Sequence, residues 1–145
     1  MKSTILLIFL TLLSCNKTDY SGSWISFGDR FENTLVLEKI EGKENTYKFS
    51  FDGWRNSYDS FAGQIIKFKG GMTEDFFIIE IKENKAYYSD DGLVLDEEFP
   101  LYNQGEERCK VYFTFNKDSI TVQTKDCHLI YGGFGVAFDG IYKKK

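Results

Sequence analysis

The chain has 145 residues, 42% of them hydrophobic and 17% aromatic, with a formal net charge of -4. That length allows one domain with enough apolar bulk for a core, and the mild acidity argues against a nucleic-acid partner, which needs a basic patch. A single Pro among 13 Gly fits strands joined by tight turns better than disorder.

Residues 1–14 open with Lys2 and continue as an apolar run from Ile5 to Leu13, broken only by Thr11. The run falls short of the ~20 apolar residues of a membrane-spanning helix and fits the core of a secretory signal. Leu12-Leu13-Ser14-Cys15 resembles a bacterial lipobox, with an aliphatic residue three before the Cys and a small one just before it. The resemblance implies that Cys15 is acylated and becomes the first residue of the mature chain. By the same resemblance, Asn16 in second place implies sorting to the outer membrane of a Gram-negative bacterium, with the lipid anchor as the membrane contact. An ordinary buried apolar N-terminus with an incidental Cys is the competing reading. The expected organisation is a lipoprotein signal peptide over 1–14, the lipidated Cys and a short tether over 15–20, and a β-domain over 21–145.

Gly22-Ser23-Trp24 opens the domain and resembles the start of lipocalins and calycins, where the Trp plugs one end of a barrel. A core Trp in any β-domain would read the same. Leu35 and Leu37 alternate with Val36 over a strand expected from Asn33 to Ile40, and Tyr47, Phe49 and Phe51 alternate with Lys48 and Ser50 after the polar turn Glu41–Asn45. Asp52 to Ser60, DGWRNSYDS, is rich in turn formers and reads as a loop carrying Trp54, Arg55 and Tyr58. A strand follows over Phe61–Lys69, then a turn at Gly70-Gly71. Asp75–Lys82, apolar on both faces, reads as a central strand. Ala86-Tyr87-Tyr88 and Leu93–Leu95 continue the strand pattern around the turn signal Asp90-Asp91-Gly92; the acidic run Asp96-Glu97-Glu98 and Pro100 then lead into a polar loop.

Val111, Phe113 and Phe115 alternate with polar residues before Lys117-Asp118, and Ile120 and Val122 do so after it. A two-residue turn there sets Phe115 opposite Ile120, Phe113 opposite Val122 and Val111 opposite Thr124. It also sets Cys109 opposite Asp126, one residue short of Cys127, so a Cys109–Cys127 disulfide requires a bulge or a bend near Lys125–Asp126. In an exported chain an even pair of cysteines reads as a disulfide. Metal ligation would need further ligands, and the only His is His128, beside Cys127. No stretch shows helical periodicity over three turns. The whole reads as all-β: an antiparallel meander of about eight to ten strands forming a small closed or nearly closed barrel.

From Asn84-Lys85-Ala86-Tyr87-Tyr88 through the Cys-led strand, the second Cys, a Gly-rich turn and Gly135-Val136 to Asp139-Gly140-Ile141-Tyr142-Lys143, the chain resembles a group of small exported bacterial lipoproteins, some labelled lysozyme-inhibitor-like. In many of them Gly follows the second Cys directly; here His128-Leu129-Ile130-Tyr131 intervenes before Gly132-Gly133. The residues supply no nucleophile–base pair, no paired carboxylates in an evident cleft and no phosphate-binding Gly motif, so no enzyme, cofactor or metal is expected. The expectation is a lipid-anchored envelope binding module. A protein partner would be met by Trp54, Arg55, Tyr58, His128 and Tyr131, of which Trp, Tyr and Arg are the types enriched at binding hot spots. Aromatic packing over the barrel ends is the alternative role for the same side chains. A lipocalin-like carrier of a small apolar ligand, or a structural envelope-assembly protein, are the other classes the residues admit.

Overall fold

A computed structural model describes residues 18–72, 77–89, 109–127 and 137–145. The expected signal segment, Cys15, the strand expected at Leu93–Leu95, the acidic run, Pro100 and the following loop, His128, Tyr131 and Gly132-Gly133 lie outside the described residues. The fold is all-β. Among the described residues nine strands, β1 (Gly22–Gly28), β2 (Phe31–Lys39), β3 (Thr46–Asp59), β4 (Gln64–Met72), β5 (Ile78–Glu80), β6 (Lys85–Ser89), β7 (Lys110–Phe115), β8 (Ser119–Lys125) and β9 (Gly140–Lys144), make one antiparallel sheet curled strongly into a half-barrel. The order across the sheet is β4-β3-β2-β1-β9-β8-β7-β6, with β5 on the same edge of β3 as β4.

Period-two alternation decides what lies inside. Leu35, Leu37, Phe49, Phe51, Phe113, Phe115, Ile120, Val122 and Tyr142 are all buried on the concave face. Phe49 and Phe51 join its parts: Phe49 packs on Phe77, Tyr88 and Phe113 with centroids 5.2–5.4 Å apart, and Phe51 packs on Phe138 at 4.9 Å and on Tyr142 at 5.9 Å. Rings therefore occupy the described interior where a carrier would need space. Burying each such ring contributes about 1.5–3 kcal/mol.

The β7–β8 hairpin has the register that its alternation predicts, Phe115↔Ile120, Phe113↔Val122 and Val111↔Thr124. Asn116 donates its N–H to Ser119 O at 2.8 Å across the two-residue turn. The strand ends at Lys125, and Asp126 takes a left-handed φ of 61°. That bend carries Cys127 to Cys109, whose Cα lies 4.1 Å away, and the two form a disulfide.

Three sequence expectations fail. Asp52 to Asp59 is strand, not loop: β3 runs 14 residues because β2 pairs it as far as Arg55 and β4 as far as Asp59. Gly70-Gly71 is not a turn but part of β4, facing Gly53 and Asp52, and β4 starts at Gln64 rather than Phe61. Of the segment expected as a central strand, the described residues 77–82 supply the short β5, which pairs with β3 alone among the described strands; Ile78 is 43% exposed because nothing among the described residues covers the outer face there.

The pairings give the half-barrel two unlike ends. At one lie Thr18–Ser21, the turn Glu41–Asn45, the tight turns at Glu83-Asn84 and Lys117-Asp118, and Lys145, whose N–H bonds Ser23 O. Tyr20 is fixed there, accepting from Trp24 Nε1 at 3.0 Å through its carbonyl. At the other lie Asp29-Arg30, the β3–β4 turn Ser60–Gly63, Ser89, both cysteines and Ala137–Asp139. The N-terminal segment thus enters at one end, and the disulfide and the long hairpin occupy the other.

Candidate functional site

The end opposite Thr18–Ser21 carries Trp54, Arg55 and Tyr58, the candidate residues that lie among the described ones. Alternation along β3 puts Trp54 and Tyr58 on its outer face and Arg55 on its inner face, so the structure brings two of the three together and separates the third. Trp54 stands in one cross-strand row with Phe27, Glu32 and Lys69, and Tyr58 faces Ile65. Lys67 Nζ lies 4.3 Å from the centroid of the Trp54 ring, a cation–π contact across the diagonal. Phe27 is 75% exposed, Tyr58 63% and Ile65 70%, and Phe61 at the hairpin turn is fully exposed. That is an apolar and aromatic strip with lysines along it.

Arg55 on the reverse face enters a different site. A pocket of about 190 Å³ is lined by Phe31, Asn33, Trp54, Arg55, Ala137 and Asp139. Asn33 is 1% exposed. Its Nδ2 donates to Ala137 O at 2.7 Å, and its Oδ1 has no hydrogen-bond partner. Turning the amide over would set two oxygens against each other, so the bond to Ala137 fixes its orientation. An unpaired buried acceptor costs about 1–3 kcal/mol. Asp139 is held by Thr124, whose N–H donates to Oδ1 at 2.8 Å and whose hydroxyl donates to Oδ2 at 2.6 Å. Sequence reading missed Asn33. The signal was there, because Asn33, Leu35 and Leu37 share one alternation, which puts a polar side chain at an inward position.

Gly53 makes room for that amide. A Cβ at Gly53 would run into Asn33 Oδ1. Gly53→Ala is therefore expected to cost about 1–3 kcal/mol by displacing Asn33 from Ala137, although Gly→Ala in an open strand would help by about 0.5–1 kcal/mol. Urea denaturation of the two proteins measures the difference, and a gain in stability would refute the packing described.

Tyr142 lies beside Asn33. Its hydroxyl donates to Phe138 O at 2.7 Å. Burial pushes its pKa well above the usual tyrosine value; the neighbouring Asn33 amide partly opposes this, and the Asp139 charge adds to it. A raised folded pKa means that the contribution to stability is whole below the unfolded value, about pH 10, and is lost as pH climbs from there toward the folded value. Denaturation midpoints should therefore fall above about pH 10, and less steeply in Tyr142→Phe.

An open depression of about 600 Å³ lies on the outer face of β6–β8, beside Tyr87 and Tyr112, whose rings are 5.1 Å apart. Among the described residues no three His, Cys, Asp or Glu stand close enough to hold a metal ion. Comparison of the chain with protein-family models, with curated proteins and with solved structures finds no match in any of the three.

Proposed function

We propose that the protein is a lipid-anchored, non-catalytic binding module of the bacterial outer membrane, and that it holds a protein partner at the end away from its anchor. The observation that carries this reading is the outer-face set of exposed Phe27, Tyr58 and Ile65 with half-buried Trp54, at the end of the sheet opposite Thr18–Ser21. Aromatic side chains presented on a strand platform lose little entropy on binding and are the usual hot-spot types. A tether entering at the other end would hold this strip outward from the membrane. The signal-like segment and the lipobox-like Leu12 to Cys15 support the anchor. The lysozyme-inhibitor-like resemblance makes lysozymes the first partners to try. Carriage of an apolar ligand is disfavoured by the rings that meet across the interior.

Two measurements test the reading. Labelled palmitate should enter the wild type and not Cys15→Ser; equal labelling would remove the anchor. A photo-crosslinking residue at Ile65 should trap one defined protein in intact cells, and one at Lys43, in the turn at the tether end, should not. Tyr58→Ala should weaken binding of that protein, or of a lysozyme from a purified panel, by roughly 30-fold. Equal trapping at both ends would exclude the strip as the binding surface.

A further inference from the structure

The outer face of β6–β9 runs against the charge of the chain. The protein is net acidic, at -4. Yet β6, β7, β8 and β9, with sequences KAYYS, KVYFTF, SITVQTK and GIYKK, contain no Asp or Glu. Alternation turns Lys85, Lys110, Lys125 and Lys143 outward, and none of the four forms an ion pair among the described residues. The carboxylates at the rim are Glu80, held by Lys82 at 3.1 Å, and Glu83, Asp118 and Asp126 in the turns and at the strand end. Pairing sorts the face into rows. Lys110 stands opposite Lys125 in one, Tyr87, Tyr112 and Gln123 fill the next, and Lys85 lies opposite Thr114 in the row after. The two lysine rows are therefore about 13 Å apart along the strands, with the rings between them. Tyr87 is 50% exposed and Tyr112 44%. Gln123 and Thr114 are exposed too, and their side chains make no hydrogen bond among the described residues. These groups border the open depression of about 600 Å³.

Rings flanked by a hydroxyl and an amide suit sugars, whose C–H faces pack on aromatic rings and whose hydroxyls both donate and accept. Unpaired ammonium groups on the same face call for negative charge on the same ligand. A protein partner fits less well, because Lys is depleted at protein interfaces, and a recess admits a chain rather than a flat bilayer. We propose that the outer face of β6–β9 binds an acidic glycan, a chain of sugar rings bearing carboxylates, with rings on Tyr87 and Tyr112 and carboxylates at Lys85 and at Lys110 and Lys125. The inference does not rest on the protein-binding reading. Tyr58 and Ile65 lie on β3 and β4, at the other end of the strand order from β6–β8. The two can fail separately.

The test is an NMR titration of the isotope-labelled full chain with oligosaccharides of hyaluronan and of polygalacturonate, and with neutral malto-oligosaccharides of matched length. At least one acidic oligosaccharide should give saturable shifts of the Gln123 side-chain amide and of the Tyr87 and Tyr112 backbone amides, with Lys43 and Tyr58 unmoved. The neutral chain should bind at least about tenfold more weakly. Raising the salt from about 0.05 to 0.5 M should weaken the acidic one several-fold. Lys85→Gln with Lys125→Gln, both at exposed positions, should keep the fold and weaken binding about tenfold. Tyr112→Ala should weaken it as much, and Tyr112→Phe, which keeps the ring, should restore most of the affinity. Tyr58→Ala should leave it unchanged. No saturable shift on this face with either acidic oligosaccharide would overturn the proposal. So would equal affinity for the neutral chain, or undiminished binding in the double lysine variant. Binding of polyglutamate, single-stranded oligothymidylate or phosphatidylglycerol vesicles at this face as tight as that of the glycan would also overturn it.

Discussion

Cys109→Ala with Cys127→Ala is expected to lower the free energy of unfolding by about 2–5 kcal/mol. Both residues are buried, and they are 18 apart in sequence. The cross-link closes the open end of the β7–β8 hairpin just where its regular pairing stops at Lys110↔Lys125. Asp126 holds a left-handed backbone to bring the sulfurs together, a conformation that a non-Gly residue adopts at some cost. Without the bond nothing compensates for that bend, and the hairpin end should fray. Hydrogen exchange should then speed up at Lys110–Tyr112 and Thr124–Lys125, and at Gly140, which pairs with Val122. Phe115 and Ile120, at the other end of the hairpin, should stay protected. Exchange that rises evenly along both strands would contradict this account, and so would a loss of less than about 1 kcal/mol by denaturation.

Phe51→Ala should cost as much or more, about 3–5 kcal/mol. Phe51 lies between Leu35 and Met72 in the ladder and is fully buried. Its ring meets Phe49 on its own strand, Phe113 on β7, Phe138 before β9 and Tyr142 on β9. Truncating it removes one of the two rings that join the flanks of the curled sheet, and rigid neighbouring rings cannot collapse into the space. Phe51→Leu, which keeps most of the volume, should cost under about 1.5 kcal/mol. Ile65→Ala, on the exposed strip, should stay within about 0.5 kcal/mol of wild type. Chemical denaturation of the three variants ranks them, and equal costs for Phe51→Ala and Ile65→Ala would mean that the core is placed wrongly.

The sequence showed the core wherever alternation was unbroken. Val111, Phe113, Phe115, Ile120 and Val122 set both the faces and the register of β7–β8, and the mismatch at Asp126 foretold a bend. Legibility ended where pairing overrode local preference. DGWRNSYDS has the composition of a loop, yet β2 and β4 flank it and take up its backbone hydrogen bonds; Asn56 N–H even reaches Arg30 O at 2.8 Å beyond the end of the β2 pairing. Its polar content reflects a strand end with water on both faces. Gly70-Gly71 reads as a turn because local reading cannot see Gly53 and Asp52 across the ladder. The exposed aromatic strip was half legible. Trp54 and Tyr58 were named, but Phe27 and Ile65 join them only through pairing. The Asn33 pocket was not legible, because it draws on β2, β3 and the residues before β9, more than 100 positions apart.

The first and last strands are neighbours, with Trp24 paired to Lys144 and Lys145 bonded to Ser23. The sheet is therefore close to a loop of chain with its opening on one side, and that opening could be moved. A short linker from Lys145 to Ser21, with new termini cut at Gly63, would keep every strand neighbour. Such a circular permutant would hang from its N-terminus by the other end, with the aromatic strip turned toward whatever surface holds it.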